Sequence, residues 1–177
     1  MTTTETAPTV VPDFGDEAEE RKICFICSKG NLDMAYPALI MANGALGEGI
    51  EVDIFFTFWG MDMINKGTWE DLQFSMLGNT AMHMKGSTKH LPQGLGGLPG
   101  MTAFATNMLK KQIADMGVPE VPEFIQMLHD MGARFWACQL SYDMMGLTRE
   151  DMFDGLEDVI NVSEFMELSE GAQVIFI

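Results

Sequence analysis

The amino-acid sequence predicts an α/β fold in which five parallel strands alternate with helices. Its apolar segments are short and nearly continuous, which is typical of strands buried on both faces of a parallel sheet. Segments with helical periodicity, bounded by glycine or capping residues, separate these strands. Residues 22–59 hold a strand, a helix and a second strand, enough for a right-handed βαβ unit. This order of elements predicts a doubly wound, flavodoxin-like sheet with the spatial strand order 2-1-3-4-5.

The first βαβ unit carries the clearest local signals. Residues 22–28 form a near-continuous apolar run, and residues 50–59 alternate before they become fully apolar. Between these strands, residues 34–46 carry a broad apolar stripe that is closed by glycine, a common helix terminator. We expect Asn31 or Asp33 to cap this helix.

A long insert separates the second strand from the third. It is predicted to contain a short helix at residues 61–66, irregular chain at 67–100 and two helices at 102–116 and 122–131. Such a long irregular stretch inside a compact domain is usually a lid, a binding loop or an interface. The insert from Gly60 to Gly100 is expected to have one of these roles.

The second half of the sheet begins with an aromatic run at residues 133–138, which ends at Cys138 and leads into a helix. Residues 148–151 have the pattern of a capping box, and the helix that they start is expected to end near Leu156. A fourth strand is predicted at residues 158–162 and a fifth at 172–177. Between them, residues 163–170 are expected to form a helix capped by Ser163.

A single α/β domain is expected at residues 21–177, preceded by a disordered acidic arm at residues 1–20. No basic segment leads into an apolar segment at the start, so no secretory signal is predicted. The uncharged run at residues 91–109 is too rich in glycine and proline for a lipid-facing helix, so stable membrane insertion is not expected. Three cysteines do not form a disulfide framework in a chain of this length. We therefore expect a cytoplasmic protein.

The charge balance excludes some classes of partner. Ten basic and 26 acidic side chains give a net charge of −16. Such a surface repels phosphate backbones and anionic lipids, which disfavours binding to nucleic acid or to a membrane surface. A basic partner protein would instead be attracted.

Cys138 is the strongest candidate for a reactive group. A thiol between a buried strand and the start of a helix faces free backbone N–H groups and the positive end of the helix dipole. Both favour the thiolate, which is the reactive form. The dipole contributes only about 0.3–1 kcal/mol, less than one pKa unit. Cys138 is therefore a candidate nucleophile or carrier, and Gln139 and Ser141 are expected to contribute to binding beside it.

The end of the first strand is expected to lie next to Cys138. In the predicted strand order, strands one and three are neighbours, and Cys27 and Cys138 each stand near a carboxyl end. Two thiols would then flank one crevice. Lys29 would stabilise a thiolate or an anionic sulfur group there, or else it is a solvated turn residue. The expected binding residues of this turn are Ser28, Lys29, Gly30 and Asn31.

No cofactor and no metal site are predicted. Cys24 and Cys27 have CxxC spacing, but residues three apart in a strand point to opposite faces. We expect Cys24 to be a core residue, and Cys27 to be either core or a second thiol of the site. The histidines and methionines at residues 82–84, together with His90, match no strong ligand spacing.

Four short segments carry a family resemblance. They are Asn-Leu-Asp at residues 31–33, Ala-Asn-Gly-Ala at 42–45, Phe-Phe-Thr-Phe-Trp-Gly at 55–60, and Ala-Cys-Gln at 137–139 with Asp143, Met145 and Gly146. With these segments, residues 22–177 resemble the DsrE/DsrF-like family, specifically its DrsE-like branch. The resemblance implies a flavodoxin-like parallel sheet, a homo-oligomer, and a cysteine that carries sulfur as a persulfide or a related adduct. Cys138 falls on the sulfur-accepting position.

The resemblance implies a cytoplasmic sulfur carrier or sulfurtransferase that accepts sulfane sulfur on Cys138 and relays it to a partner thiol. Its implied partners are rhodanese-like proteins and small TusA-like carriers. No second cysteine closely follows Cys138, so only Cys27 is left to act as a resolving thiol. The alternative is a non-catalytic scaffold or binding module of a sulfur-metabolism complex. A third hypothesis is a thiol peroxidase, but no Thr/Pro-Cys-Arg-type setting surrounds Cys138.

Overall fold

The structure is a computed structural model that describes residues 21–75 and 97–177. The expected N-terminal arm at residues 1–20 lies outside the described residues, and so do the histidines and methionines at 82–84 and His90. The described part has an α/β fold with a sheet of five parallel strands, as the sequence predicts. Helices cover both faces of this sheet.

The strands and helices alternate along the chain. The strands are β1 Lys22–Cys27, β2 Glu51–Phe56, β3 Arg134–Cys138, β4 Leu156–Ile160 and β5 Gln173–Phe176. The α-helices are α1 Leu32–Gly47, α2 Met101–Asp115, α3 Val121–Asp130, α4 Gln139–Met145 and α5 Val162–Leu168. 3₁₀ segments occur at Phe58–Met63 and Arg149–Asp151.

The strand order is 4-3-2-1-5, so the predicted order 2-1-3-4-5 is wrong. In the predicted order β2 would stand at an edge of the sheet. Instead it lies between β1 and β3, and every residue of it after Glu51 is buried. The edge next to β1 is taken by β5, where Val174 and Phe176 are exposed. Burial of both faces and both sides of β2 is the physical reason for the difference.

The two faces of the sheet bury different side chains. One face packs Phe25, Ile54 and Phe135 against α1 and α3. The other face packs Phe55 against Phe165 of α5, with ring centroids 4.5 Å apart. Cys138 belongs to this second face, which α5 covers.

Three element boundaries differ from the prediction. β2 ends at Phe56, before the apolar run is over, because Phe58 adopts a left-handed backbone conformation with φ 46°. The capping box at Thr148 is present, but it starts a single 3₁₀ turn and not a helix that reaches Leu156. The cap of α5 is Asn161, whose side chain accepts the N–H groups of two following residues.

A buried carboxylate joins the first three strands of the chain. Asp53 is 0% exposed. Its Oδ1 accepts hydrogen bonds from Arg134 Nε and Trp136 Nε1, both at 2.8 Å. Its Oδ2 lies 2.8 Å from Arg134 Nη2 and 3.1 Å from Lys22 Nζ. Glu51, at the surface, also pairs with Arg134. The carboxylate is therefore fully paired, as a buried charge must be.

Replacing Asp53 by alanine is expected to lower the free energy of unfolding by about 3 kcal/mol, because Arg134 and Lys22 lose their buried partner. Urea unfolding followed by circular dichroism measures this loss. Glu51→Ala removes an exposed partner of Arg134 and is the matched control, with an expected cost below about 1 kcal/mol. Similar losses in the two variants would contradict the structural role of Asp53.

Gly60 is expected to be intolerant of a side chain. A Cβ there would lie 2.0 Å from the carbonyl oxygen of Cys27. Gly60→Ala should therefore lower the free energy of unfolding by about 1–3 kcal/mol or more. Gly44 is exposed within α1, and a Cβ added there would meet no other atom within 4 Å, so Gly44→Ala should stabilise by about 0.5–1 kcal/mol. Thermal unfolding of both variants compares the two effects, and a stable Gly60→Ala protein would refute the close approach.

Candidate functional site

Cys138 is the last residue of β3 and the N-cap residue of α4. The structure thus places its thiol at the strand–helix junction that the sequence predicts. The side chain is half-buried. Helix α4 has no side-chain cap hydrogen bond, so its first backbone N–H groups keep the capacity to interact with Sγ.

The loop after β2 brings a hydroxyl group to this thiol. β2 is the neighbour of β3 in the sheet, with Phe56 paired to Ala137, so Thr57 follows β2 at the level of Cys138. The loop then crosses the end of β1, where the Thr57 N–H donates to the Cys27 carbonyl at 2.9 Å. Gly60 makes the close crossing possible because a larger residue would collide with that carbonyl.

Ser141 connects this loop to α4. Its side chain is buried, and the residue is 1% exposed. Ser141 Oγ accepts a hydrogen bond from the Phe58 N–H at 2.8 Å and lies 3.2 Å from Thr57 Oγ1. Phe58 itself has a left-handed backbone conformation, and its side chain is exposed. Two hydroxyl groups are therefore held together, and both hydrogen-bond the Cys138 thiol.

These polar groups set the acidity of the thiol. Partial burial is the largest single effect and by itself raises the pKa of Cys138. Hydrogen bonding by the Thr57 side chain, by the Ser141 backbone and side chain, and by the Leu140 backbone lowers it. Together these groups outweigh burial, so the pKa of Cys138 lies below its ordinary value. The thiolate is accordingly favoured at this position.

The other two cysteines have the opposite character. Cys27 is 1% exposed and packs into the core on the α1 face, whereas Cys138 lies on the α5 face. Burial raises the pKa of Cys27 to about 12. Burial, with a smaller effect of the Asp53 charge, raises that of Cys24 to about 12. The expected crevice shared by Cys27 and Cys138 is wrong, because β2 separates their strands and the two side chains point to opposite faces.

The turn after β1 is likewise separated from Cys138 by β2. The Ser28 hydroxyl donates to the Ile177 carbonyl at 3.0 Å, and Lys29 is exposed. Gly30 and Asn31 line a cleft of about 540 Å³ beside α1, together with Trp59 and Asp62. Desolvation raises the pKa of Asp62. The binding roles expected for these turn residues beside Cys138 therefore have no geometric support.

Of the two residues expected to bind beside Cys138, Ser141 hydrogen-bonds the thiol through both its backbone and its side chain. The Gln139 side chain, in contrast, donates to Asp143 Oδ1 at 2.8 Å. Thr57 was not predicted as a site residue, although it lies within the family-like segment 55–60. The available signal was a single polar residue in an aromatic run at the carboxyl end of a strand. This polar residue points to the site only once β2 is known to be the neighbour of β3.

Two kinds of feature do not occur within residues 21–75 and 97–177. No group of three or more histidine, cysteine, aspartate or glutamate residues in these ranges is arranged to hold a metal ion. Within the same ranges no helix combines the length and apolar character needed to cross a membrane.

Known proteins share both the sequence pattern and the fold. A family model described as the DsrE/DsrF/DrsH-like family matches residues 19–177. The sulfur carrier protein DsrE2 of Allochromatium vinosum is 34% identical over 140 residues, covering 78% of this chain and 87% of that protein. The uncharacterized protein YrkE of Bacillus subtilis is 26% identical over 163 residues, covering 90% of this chain and 98% of that protein.

Solved structures support the fold alone. The protein of unknown function MTH1491 from Methanobacterium thermoautotrophicum matches with a TM-score of 0.54 at 12% identity, over 89% of this chain and 99% of that chain. The ychN protein from E. coli matches with a TM-score of 0.50 at 8% identity, over the same shares of 89% and 99%. Because the family model spans nearly the whole sequence, this chain belongs to the DsrE/DsrF/DrsH-like family.

Proposed function

We propose that this protein is a sulfur carrier that accepts sulfane sulfur on Cys138 as a persulfide and relays it to the thiol of a partner protein. The observation that carries the proposal is the contrast among the three cysteines. Cys138 alone combines partial exposure with a lowered pKa, whereas Cys24 and Cys27 are buried with raised pKa values. Similarity to a relative named a sulfur carrier protein supports the proposal.

The loading step needs only one thiolate. Cys138 Sγ attacks the outer sulfur of a donor persulfide, R–S–SH, and forms a new S–S bond. The original S–S bond breaks, and its electron pair leaves with the donor as R–S⁻. Charge and atoms balance without an external oxidant or reductant. Thr57 and Ser141 stabilise the Cys138 thiolate before the attack.

The surface near the thiol supports a protein as donor and acceptor. Phe58 and Trp59 are 49% and 63% exposed, and Leu140 and Met144 of α4 are 68% and 56% exposed. The 3₁₀ segment that begins at Phe58 contacts α4, and exposed apolar side chains on adjoining elements are common at protein interfaces. We propose rhodanese-like and TusA-like proteins as the partners, and a homo-oligomer in the cytoplasm as the working form.

The two rival functions make different demands on the structure. A scaffold would bind its partners whether or not Cys138 is present. A thiol peroxidase would need a cation close to the thiol. Arg134 cannot serve there, because its guanidinium is engaged with Asp53 and Glu51 at the other end of β3.

Incubation with inorganic polysulfide is expected to add one sulfur atom to Cys138, because it is the accessible, acidic thiol. Intact-protein mass spectrometry with peptide mapping measures the adduct. Cys138→Ser should lose the adduct, whereas Cys27→Ser is the matched control and should keep it. An adduct that survives in Cys138→Ser would remove Cys138 from the proposed role, and partner binding that is indifferent to this substitution would favour a scaffold.

The pH dependence of alkylation should distinguish Cys138 from its neighbours. A lowered pKa means that the thiolate forms at lower pH, so the rate of Cys138 modification by iodoacetamide should reach half its maximum below pH 9.0, the ordinary thiol value. Cys24 and Cys27, with pKa values of about 12, should remain unmodified across this range in the folded protein. Peptide mapping at each pH measures the rates. A Cys138 midpoint at or above the ordinary value would contradict the role of the hydroxyl groups.

A further inference from the structure

We propose that Thr57 and Ser141 determine which sulfur atom of the loaded Cys138 persulfide is attacked, so that sulfur is transferred to the acceptor and is not released as sulfide. This inference rests on the proposed function, since it concerns the persulfide form of Cys138. It assigns a specificity to two side chains for which the family resemblance and the comparisons give no role.

The hydroxyl groups of these two residues have few hydrogen-bond partners besides the thiol. Ser141 Oγ accepts the Phe58 N–H at 2.8 Å with one lone pair, which leaves its own hydrogen for a second hydrogen bond. Thr57 Oγ1 and Ser141 Oγ lie 3.2 Å apart, and either can donate to the other. A bond between them uses only one of the two hydroxyl hydrogens. At least one hydrogen therefore stays available for Cys138 Sγ, in a place where the 1% exposure of Ser141 leaves little room for water.

A loaded persulfide has two electrophilic sulfur atoms. The outer sulfur lies about 2.0 Å beyond Sγ, the length of one S–S bond. If an acceptor thiolate attacks the outer sulfur, the Sγ–S bond breaks, the acceptor becomes R–S–SH and Cys138 leaves as a thiolate. If it attacks Sγ, the same bond breaks, a mixed disulfide Cys138–S–S–R forms and HS⁻ leaves. Only the first reaction relays sulfur.

The position of the hydroxyl groups favours the first reaction. Both hydroxyl groups hydrogen-bond the Cys138 thiol and are held in place by their contact with each other and by the Phe58 N–H. They therefore stabilise the negative charge that develops on Sγ when Cys138 is the leaving group. In the competing reaction the charge develops on the outer sulfur, one bond further from them. A better-stabilised thiolate leaves faster in thiol–disulfide exchange. The same groups that acidify the free thiol therefore direct the discharge of the persulfide towards transfer.

The test is a single-turnover discharge of the loaded protein. The wild-type protein and the variants Thr57→Val, Thr57→Ser and Ser141→Ala are loaded with inorganic polysulfide and desalted. One equivalent of 2-mercaptoethanol is added, and the reaction is quenched with acid. Intact-protein mass spectrometry then separates the two routes, because attack on the outer sulfur leaves a bare thiol and attack on Sγ leaves a mixed disulfide.

The wild-type protein is expected to give mainly the bare thiol. In Thr57→Val and Ser141→Ala the ratio of bare thiol to mixed disulfide should fall about ten- to a hundredfold, the effect of losing one hydrogen bond to a charged group. Thr57→Ser keeps the hydroxyl and should restore the ratio, which a purely structural role of Thr57 would not require. Normal loading with an unchanged ratio in both hydroxyl-deleted variants overturns this inference alone. Failure of the wild-type protein to load on Cys138 overturns the proposed function as well.

Discussion

The hydrogen bond from the Phe58 N–H to Ser141 Oγ connects the two segments that form the reactive end of the sheet. It joins the loop after β2 to the helix after β3, and it can exist only because these strands are neighbours. A left-handed conformation costs about 1–2 kcal/mol for a residue with a side chain, and Phe58 adopts it. The close crossing at Gly60 and the Thr57 contact to Cys27 hold the loop in this conformation. In this loop the Thr57 hydroxyl contacts Ser141 Oγ and hydrogen-bonds the Cys138 thiol.

Local patterns in the sequence predicted the alternation of strands and helices and the five parallel strands, and the structure confirms both. They did not predict the strand order, because the pairing of distant strands is decided by burial across the whole sheet. β2 is buried on both faces after Glu51, and the buried Asp53 on one face is paired by charged residues of both neighbouring strands, an arrangement that only a central strand allows. The end of β2 was also misplaced, since a left-handed phenylalanine in an aromatic run looks like one more strand residue.

The candidate site was predictable where it depended on one segment and not where it depended on two. The position of Cys138 between a strand and a helix followed from its own neighbourhood. The expected crevice between Cys27 and Cys138 does not form. Cys27 is in register with Phe56 and, through it, with Ala137, the residue before Cys138. Side chains alternate along a strand, so Cys27 and Cys138 point to opposite faces of the sheet. The role of Thr57 could not be predicted from its own segment either, because its contact with Ser141 depends on β2 and β3 being neighbours. The family resemblance included Thr57 in a matching segment but gave it no role.

The separation of the three thiols also decides how the protein would respond to oxidants. An accessible thiolate is the first group to become a sulfenic acid, and a nearby second cysteine normally captures that species as a disulfide before it advances to the sulfinic acid. Cys24 and Cys27 lie on β1 and are buried in the core of the protein, and β2 separates β1 from the strand of Cys138. An oxidised Cys138 must therefore be rescued by a thiol from another molecule, so its survival under peroxide depends on the cellular supply of reductant and not on the chain itself.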